Sequence, residues 1–202
     1  MTHVFRKPVF LLLGIYHSLG ICGISSYAEP GDWATYEMNH YMLGALAWNP
    51  ETNLEPLIRN FLLARFGSDS SSLLEIFSHL ERHAPRLSSI PFTSLKSPAE
   101  YGEAIALFQS LIDKTRKLEQ NSPSPQTRKA FHRLSLCLQY LVFDMSLLKA
   151  RVLNDDVSKR KESVEKLLQF LQNHPDDGVF IPRHISANSL YSRYGVPKSS
   201  KN

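Results

Sequence analysis

The sequence predicts a mainly α-helical chain. Three observations lead there. Apolar residues recur at helical spacing through six segments between residues 32 and 173, proline and glycine punctuate the ends of those segments, and no pair of alternating runs of hairpin length appears. No internal repeat of solenoid period is visible.

The first helix is read from Asp32 or Thr35, either of which can cap it, to Trp48, where Asn49-Pro50 stops it because the residue before proline disfavours helical backbone. Thr52-Asn53 opens a second, with Leu54, Leu57, Ile58, Phe61 and Leu62 at helical spacing and Gly67 closing it. A third runs from Leu73 to Arg82 and ends near Pro85, and residues 87–98 are aperiodic loop. Ser97-Pro98-Ala99-Glu100 is a helix-start signal, and the fourth helix continues to about Gln120. After the Asn121-to-Pro125 turn comes a long helix, Gln126 to Leu153. Its broad apolar stripe (Leu134, Leu138, Leu141, Val142, Met145, Leu148) implies packing on more than one side. Ser158 to Asn173 forms the last helix, Asp176 to Ile181 a turn and short extended segment, and the polar stretch 182–202 a flexible tail. The resulting division is 1–31, then a helical domain 32–181, then the tail.

Residues 1–31 support two readings. Arg6 and Lys7, the apolar run Val9–Ile15 and the small residues Ser26 and Ala28 have the layout of an export leader, which would send the chain to the periplasm or outside the cell. The same residues also read as a buried helix, Lys7 to Leu19, capped by Gly20 and followed by a short strand, Ile21 to Tyr27. A membrane span is not expected, since His17 and several serines interrupt the one candidate window.

Composition sets the outer limits of function. With 202 residues, 43% of them hydrophobic, the chain can build one ordinary core, which excludes intrinsic disorder and low-complexity polymers. Two cysteines, Cys22 and Cys137, exclude a Cys-based zinc ribbon; two buried thiols are the favoured reading, with a single bridge between them the open alternative. A net charge of +4 is mild, and the basic groups Lys114, Arg116, Lys117 and Lys159, Arg160, Lys161 alternate with Asp113, Glu119, Asp155, Asp156 and Glu162. These are ordinary solvated helix faces, so no nucleic-acid partner is expected. The phosphate-cradling and dinucleotide-binding glycine motifs are missing, as is His-Glu-x-x-His. His79 and His83 share a helix face but sit at a solvated helix end, and no metal or cofactor is expected.

One segment stands apart. Gly23 to Trp33, with Glu37, Asn39, His40, Tyr41 and Trp48-Asn49-Pro50 after it, gathers aromatic and carboxylate residues at a strand-to-helix junction. Tyr27 and Trp33 offer flat faces for a sugar ring, and Glu29 and Asp32 can accept hydrogen bonds from its hydroxyls, so these four are the candidate substrate-binding residues. Asp32 also reads simply as a helix cap, and Tyr41 and Trp48 as core, with Trp48 the packing anchor of the corner.

The run Leu19 to Trp33, with Asn39-His40-Tyr41, Leu46-Ala47-Trp48-Asn49-Pro50 and Phe66-Gly67, resembles the late barrel strand and following helices of bacterial glycoside hydrolase-like proteins of the DUF4838 type. A more distant likeness is to α-glucuronidases. The resemblance covers about residues 19–67 and implies a remnant helix and strand of a (β/α)8 barrel ahead of a helical bundle. It further implies a carbohydrate ligand, and a barrel portion as partner. Glycosidic cleavage ordinarily uses two carboxylates across the scissile bond, supplied in such barrels by middle strands, so no catalytic residue is assigned here. The expectation is a C-terminal fragment inactive alone. The alternative is a free-standing helical interaction or scaffold protein.

Overall fold

The computed structural model describes residues 15–21, 33–67, 71–83, 97–174 and 187–197. These are mainly helical, and no strand occurs among them. We number the helices α1 (Trp33–Trp48), α2 (Leu54–Phe66), α3 (Ser71–His83), α4 (Pro98–Gln120), α5 (Pro125–Val152), α6 (Val157–Gln172) and α7 (Ala187–Arg193).

The helix boundaries follow from local chemistry. Asn53 caps α2 by accepting the Glu55 N–H at 3.1 Å, and Gly67, at φ 66°, ends it in the left-handed conformation that glycine adopts without strain. At α4 the Ser97 hydroxyl accepts from the Glu100 N–H, while the Glu100 carboxylate accepts from the Ser97 N–H at 2.9 Å, a reciprocal capping box with Pro98 in the first turn. Ser124 caps α5, again ahead of a proline, and Asp156 caps α6 by accepting from the N–H groups of Ser158 and Lys159. Those two backbone bonds hold the Asp156 carboxyl below its ordinary pKa.

Helix α5, 28 residues and so about 42 Å long, is the axis of the bundle. It packs along α4, to which the short 121–124 turn joins it, and also meets α1, α2 and α6. Its buried residues span nearly the whole circumference, from Phe131, Leu134 and Leu138 through Cys137 and Leu141 to Met145 and Leu148. The broad stripe read from the sequence is therefore packed on more than one side. Phe66 joins three helices: its ring lies 5.8 Å from Phe77 of α3 and 5.1 Å from Phe131 of α5. At the other end of α5, Phe143 meets Phe170 of α6 at 5.3 Å. The core runs unbroken from Met38 to Val196.

Two expectations change. Residues 187–197, read as flexible tail, form a docked helix and cap whose Leu190, Tyr194 and Val196 are buried. Arg160, read as part of a solvated basic face, is buried at 8% exposure, whereas its neighbours Lys159 and Lys161 are exposed. The expected strand, Ile21 to Tyr27, lies outside the described residues beyond Ile21, as does Cys22. Before it, Ile15–Ser18 is helical and Gly20 caps it at φ 76°, with Gly20 N–H donating to the His17 carbonyl and Ile21 N–H to the Tyr16 carbonyl.

Candidate functional site

Of the four residues proposed to contact a sugar, Tyr27, Glu29 and Asp32 lie outside the described residues. Trp33 is the first residue of α1, and its side chain is likewise outside what is described. What the structure does define is the helix those residues lead into.

Helix α1 carries a single Asp, Glu, Lys or Arg in sixteen residues, Glu37, and is apolar around most of its circumference. A helix of that composition is normally covered on more than one side. Its inward stripe, Met38, Met42 and Leu46, is buried against α2 and α5. The stripe formed by Glu37, Tyr41, Gly44 and Trp48, at spacings of four, three and four, points away from it. Arg65 of α2 reaches Glu37 at 3.0 Å, and Tyr41 rests against Phe61 of α2 with ring centroids 5.4 Å apart while keeping 43% exposure. Trp48 at the end of the stripe is 92% exposed.

That corrects the expectation that Tyr41 and Trp48 are core and that Trp48 anchors the corner. Trp48 follows the buried Leu46 by two residues, a rotation of about 200°, so an inward Leu46 turns the indole outward. Backbone and small polar groups make the corner instead. Asn49 N–H donates to the Ala45 carbonyl at 2.9 Å, the Thr52 hydroxyl donates to the Asn49 carbonyl at 2.7 Å, and the Asn49 side chain accepts from the Glu51 N–H at 3.1 Å. Leu63 of α2, at 48% exposure, and Ile15, Tyr16, Leu19 and Ile21 ahead of α1 add further open apolar surface. The other exposed large apolar side chains among the described residues, Val152, Leu153 and Val157, sit at the α5–α6 corner.

A second cluster centres on a buried carboxylate, with Arg193 half-buried at its outer edge. Asp144 of α5, fully buried, accepts from Arg193 Nε and Nη2, both at 2.9 Å, and from the Tyr194 hydroxyl at 2.7 Å. Burial opposes the charge on Arg193, but the adjacent Asp144 carboxylate outweighs it and raises the guanidinium pKa. Burial first, and the Asp144 charge next, push the Tyr194 phenol well above its ordinary value. The cluster is satisfied from within and holds α7 in place. Sequence reading missed it, although one signal was present: Asp144 is a lone carboxylate inside the apolar run Leu141-Val142-Phe143-Asp144-Met145.

The remaining ionisable contacts are small. Glu75 of α3 pairs with Lys114 of α4, a hydrogen bond that lowers the carboxyl pKa, and lies 4.0 Å from His79. Among the described residues no three His, Cys, Asp or Glu side chains gather as a metal site would need, and no helix is long and apolar enough to cross a membrane.

Neither a family model, nor a curated protein, nor a solved structure matches the chain.

Proposed function

We propose that this chain is the C-terminal helical part of a carbohydrate-active, glycoside hydrolase-like protein. In this reading it is a support domain, inactive alone, that docks on a barrel body through α1. Tyr27, Glu29, Asp32 and Trp33 then reach a sugar bound at the mouth of the barrel, and the barrel supplies the catalytic carboxylates.

The observation that supports it is the outward stripe of α1. The first part of the run that carries the resemblance, residues 19–33, leads directly into a helix that leaves Tyr41, Gly44 and Trp48 open to solvent. Apolar surface of that kind, next to a polar-capped corner, marks a face made to be covered. One fact favours the alternative of a free-standing interaction protein: the core is continuous without a barrel.

The test uses a Trp33→Phe background labelled with 5-hydroxytryptophan, whose red-shifted excitation makes Trp48 the reporter even beside a second protein. Mixed with the barrel body of a glycoside hydrolase-like relative, the chain should form a one-to-one complex in which Trp48 is shielded from acrylamide. Absence of a complex, with Trp48 quenching unchanged, overturns the docking. The isolated chain should hydrolyse no aryl glycoside, and turnover abolished by Glu29→Gln would refute inactivity in isolation.

A further inference from the structure

The segment 187–197 sits in the fold as a ligand sits in a groove. Helix α7 has seven residues, too few to be stable alone in water, and twelve residues, 175–186, separate it from His174. Leu190, Tyr194 and Val196 enter the groove at 3%, 0% and 4% exposure. The charges are complementary in both directions. The groove offers the Asp144 carboxylate to the segment's guanidinium and phenol, and in return offers two guanidiniums to its main chain. Arg151 of α5 donates to the Arg193 carbonyl, and Arg160 of α6 donates to the Gly195 carbonyl at 3.4 Å.

Those carbonyls are among the last of the helix end, past the reach of the segment's own N–H groups. Gly195, at φ 64°, closes α7 with Gly195 N–H donating to Ser192 and Val196 N–H to Tyr191, which uses the carbonyls one turn earlier. The two arginines therefore also face the negative end of the α7 dipole. The Arg151 stem passes 3.4–3.7 Å from where a side chain on residue 195 would begin, ordinary contact distance, so the groove favours glycine at that position by conformation and not by space.

We propose that the groove between α5 and α6 is a peptide-recognition site for a short helix of the pattern Leu-x-x-Arg-Tyr-Gly-Val, and that the chain's own C-terminal segment is its exchangeable occupant. Permanent attachment of a seven-residue helix is achieved at lower desolvation cost by apolar packing alone. A buried two-pronged ion pair instead specifies which segment binds and in which register. The connection to α6 keeps the segment at high local concentration, so the intramolecular occupant excludes others while the chain is intact.

The experiment places a specific protease site within 175–186 of the full chain and cuts it after folding. A fluorescent peptide of residues 187–202 is then added. The labelled peptide is expected to replace the cut segment, and its Arg193→Ala form to bind about thirtyfold more weakly, in keeping with loss of charge-assisted hydrogen bonds. The Asp144→Asn chain should show a comparable loss with the unaltered peptide; because the peptide variants leave the groove intact, they decide the matter even if that chain does not fold. Three results overturn the proposal: helical signal lost on cutting, no exchange within a day while the cut complex persists, or equal binding of the Arg193→Ala peptide.

Discussion

Asp144 and Arg193, 49 positions apart, form a two-pronged ion pair with both N–O distances at 2.9 Å and the carboxylate fully buried. The Tyr194 hydroxyl occupies part of the remaining acceptor capacity of that carboxylate. Removing one member leaves a buried charge uncompensated. Asp144→Ala should therefore cost about 3 kcal/mol, the lower end for a broken buried pair because α7 lies at the surface and Arg193 can turn toward water. Urea unfolding of the single and double variants with Arg193→Ala measures it. A midpoint within error of the wild type for Asp144→Ala contradicts the pairing.

The Tyr194 phenol gives the chain an alkaline limit. Its pKa in the folded state is raised well above 10.0 by burial and by the Asp144 charge. Its contribution is thus complete below pH 10, where the phenol is neutral folded or unfolded, and is lost as pH rises through the folded-state value. Tyr194→Phe should be about 1 kcal/mol less stable at neutral pH, one buried hydrogen bond, yet lose less stability than the wild type above pH 10. Parallel alkaline unfolding curves for the two proteins count against this.

Trp48 and Phe61 make a paired test of the α1–α2 corner. Trp48 is 92% exposed and Phe61 7%, so Trp48→Ala in the isolated chain should change stability by no more than about 0.5 kcal/mol and Phe61→Ala should cost about 3–5 kcal/mol. Denaturant midpoints in one buffer decide the order. A reversed order means that the indole is inside the corner.

Gly67 ends α2 at φ 66° with Thr127 Oγ1 3.5 Å from a would-be Cβ. The space is ordinary, so the cost of Gly67→Ala is conformational, about 1–2 kcal/mol for forcing an L-residue into the left-handed region. Gly44, mid-helix on α1 with nothing within 4 Å, is the control: Gly44→Ala should stabilise by about 0.5–1 kcal/mol through helix propensity. Thermal melts that move the same way for both variants refute the distinction.

Much of the bundle was legible because its signals are local. Asn53, Gly67, the Ser97-to-Glu100 box and the proline turn before α5 act within one helical turn, and the helices begin or end where those residues stand. The breadth of the α5 stripe, too, is written in residues three and four apart. Tertiary structure alone decided three other things. Trp48 faces solvent because rotation about the α1 axis is set by which stripe, Met38–Met42–Leu46, the neighbouring helices cover, and amphipathic contrast along α1 is too weak to announce it. Arg160 is buried because a carbonyl 35 positions away lies over it, although its sequence neighbours are exposed lysines. The segment around Arg193 and Tyr194 reads as polar tail, yet becomes core once a carboxylate 49 residues earlier neutralises the guanidinium and accepts the phenol. Local hydrogen bonds can be read along a chain, but the burial of a charge depends on a partner that only folding brings near.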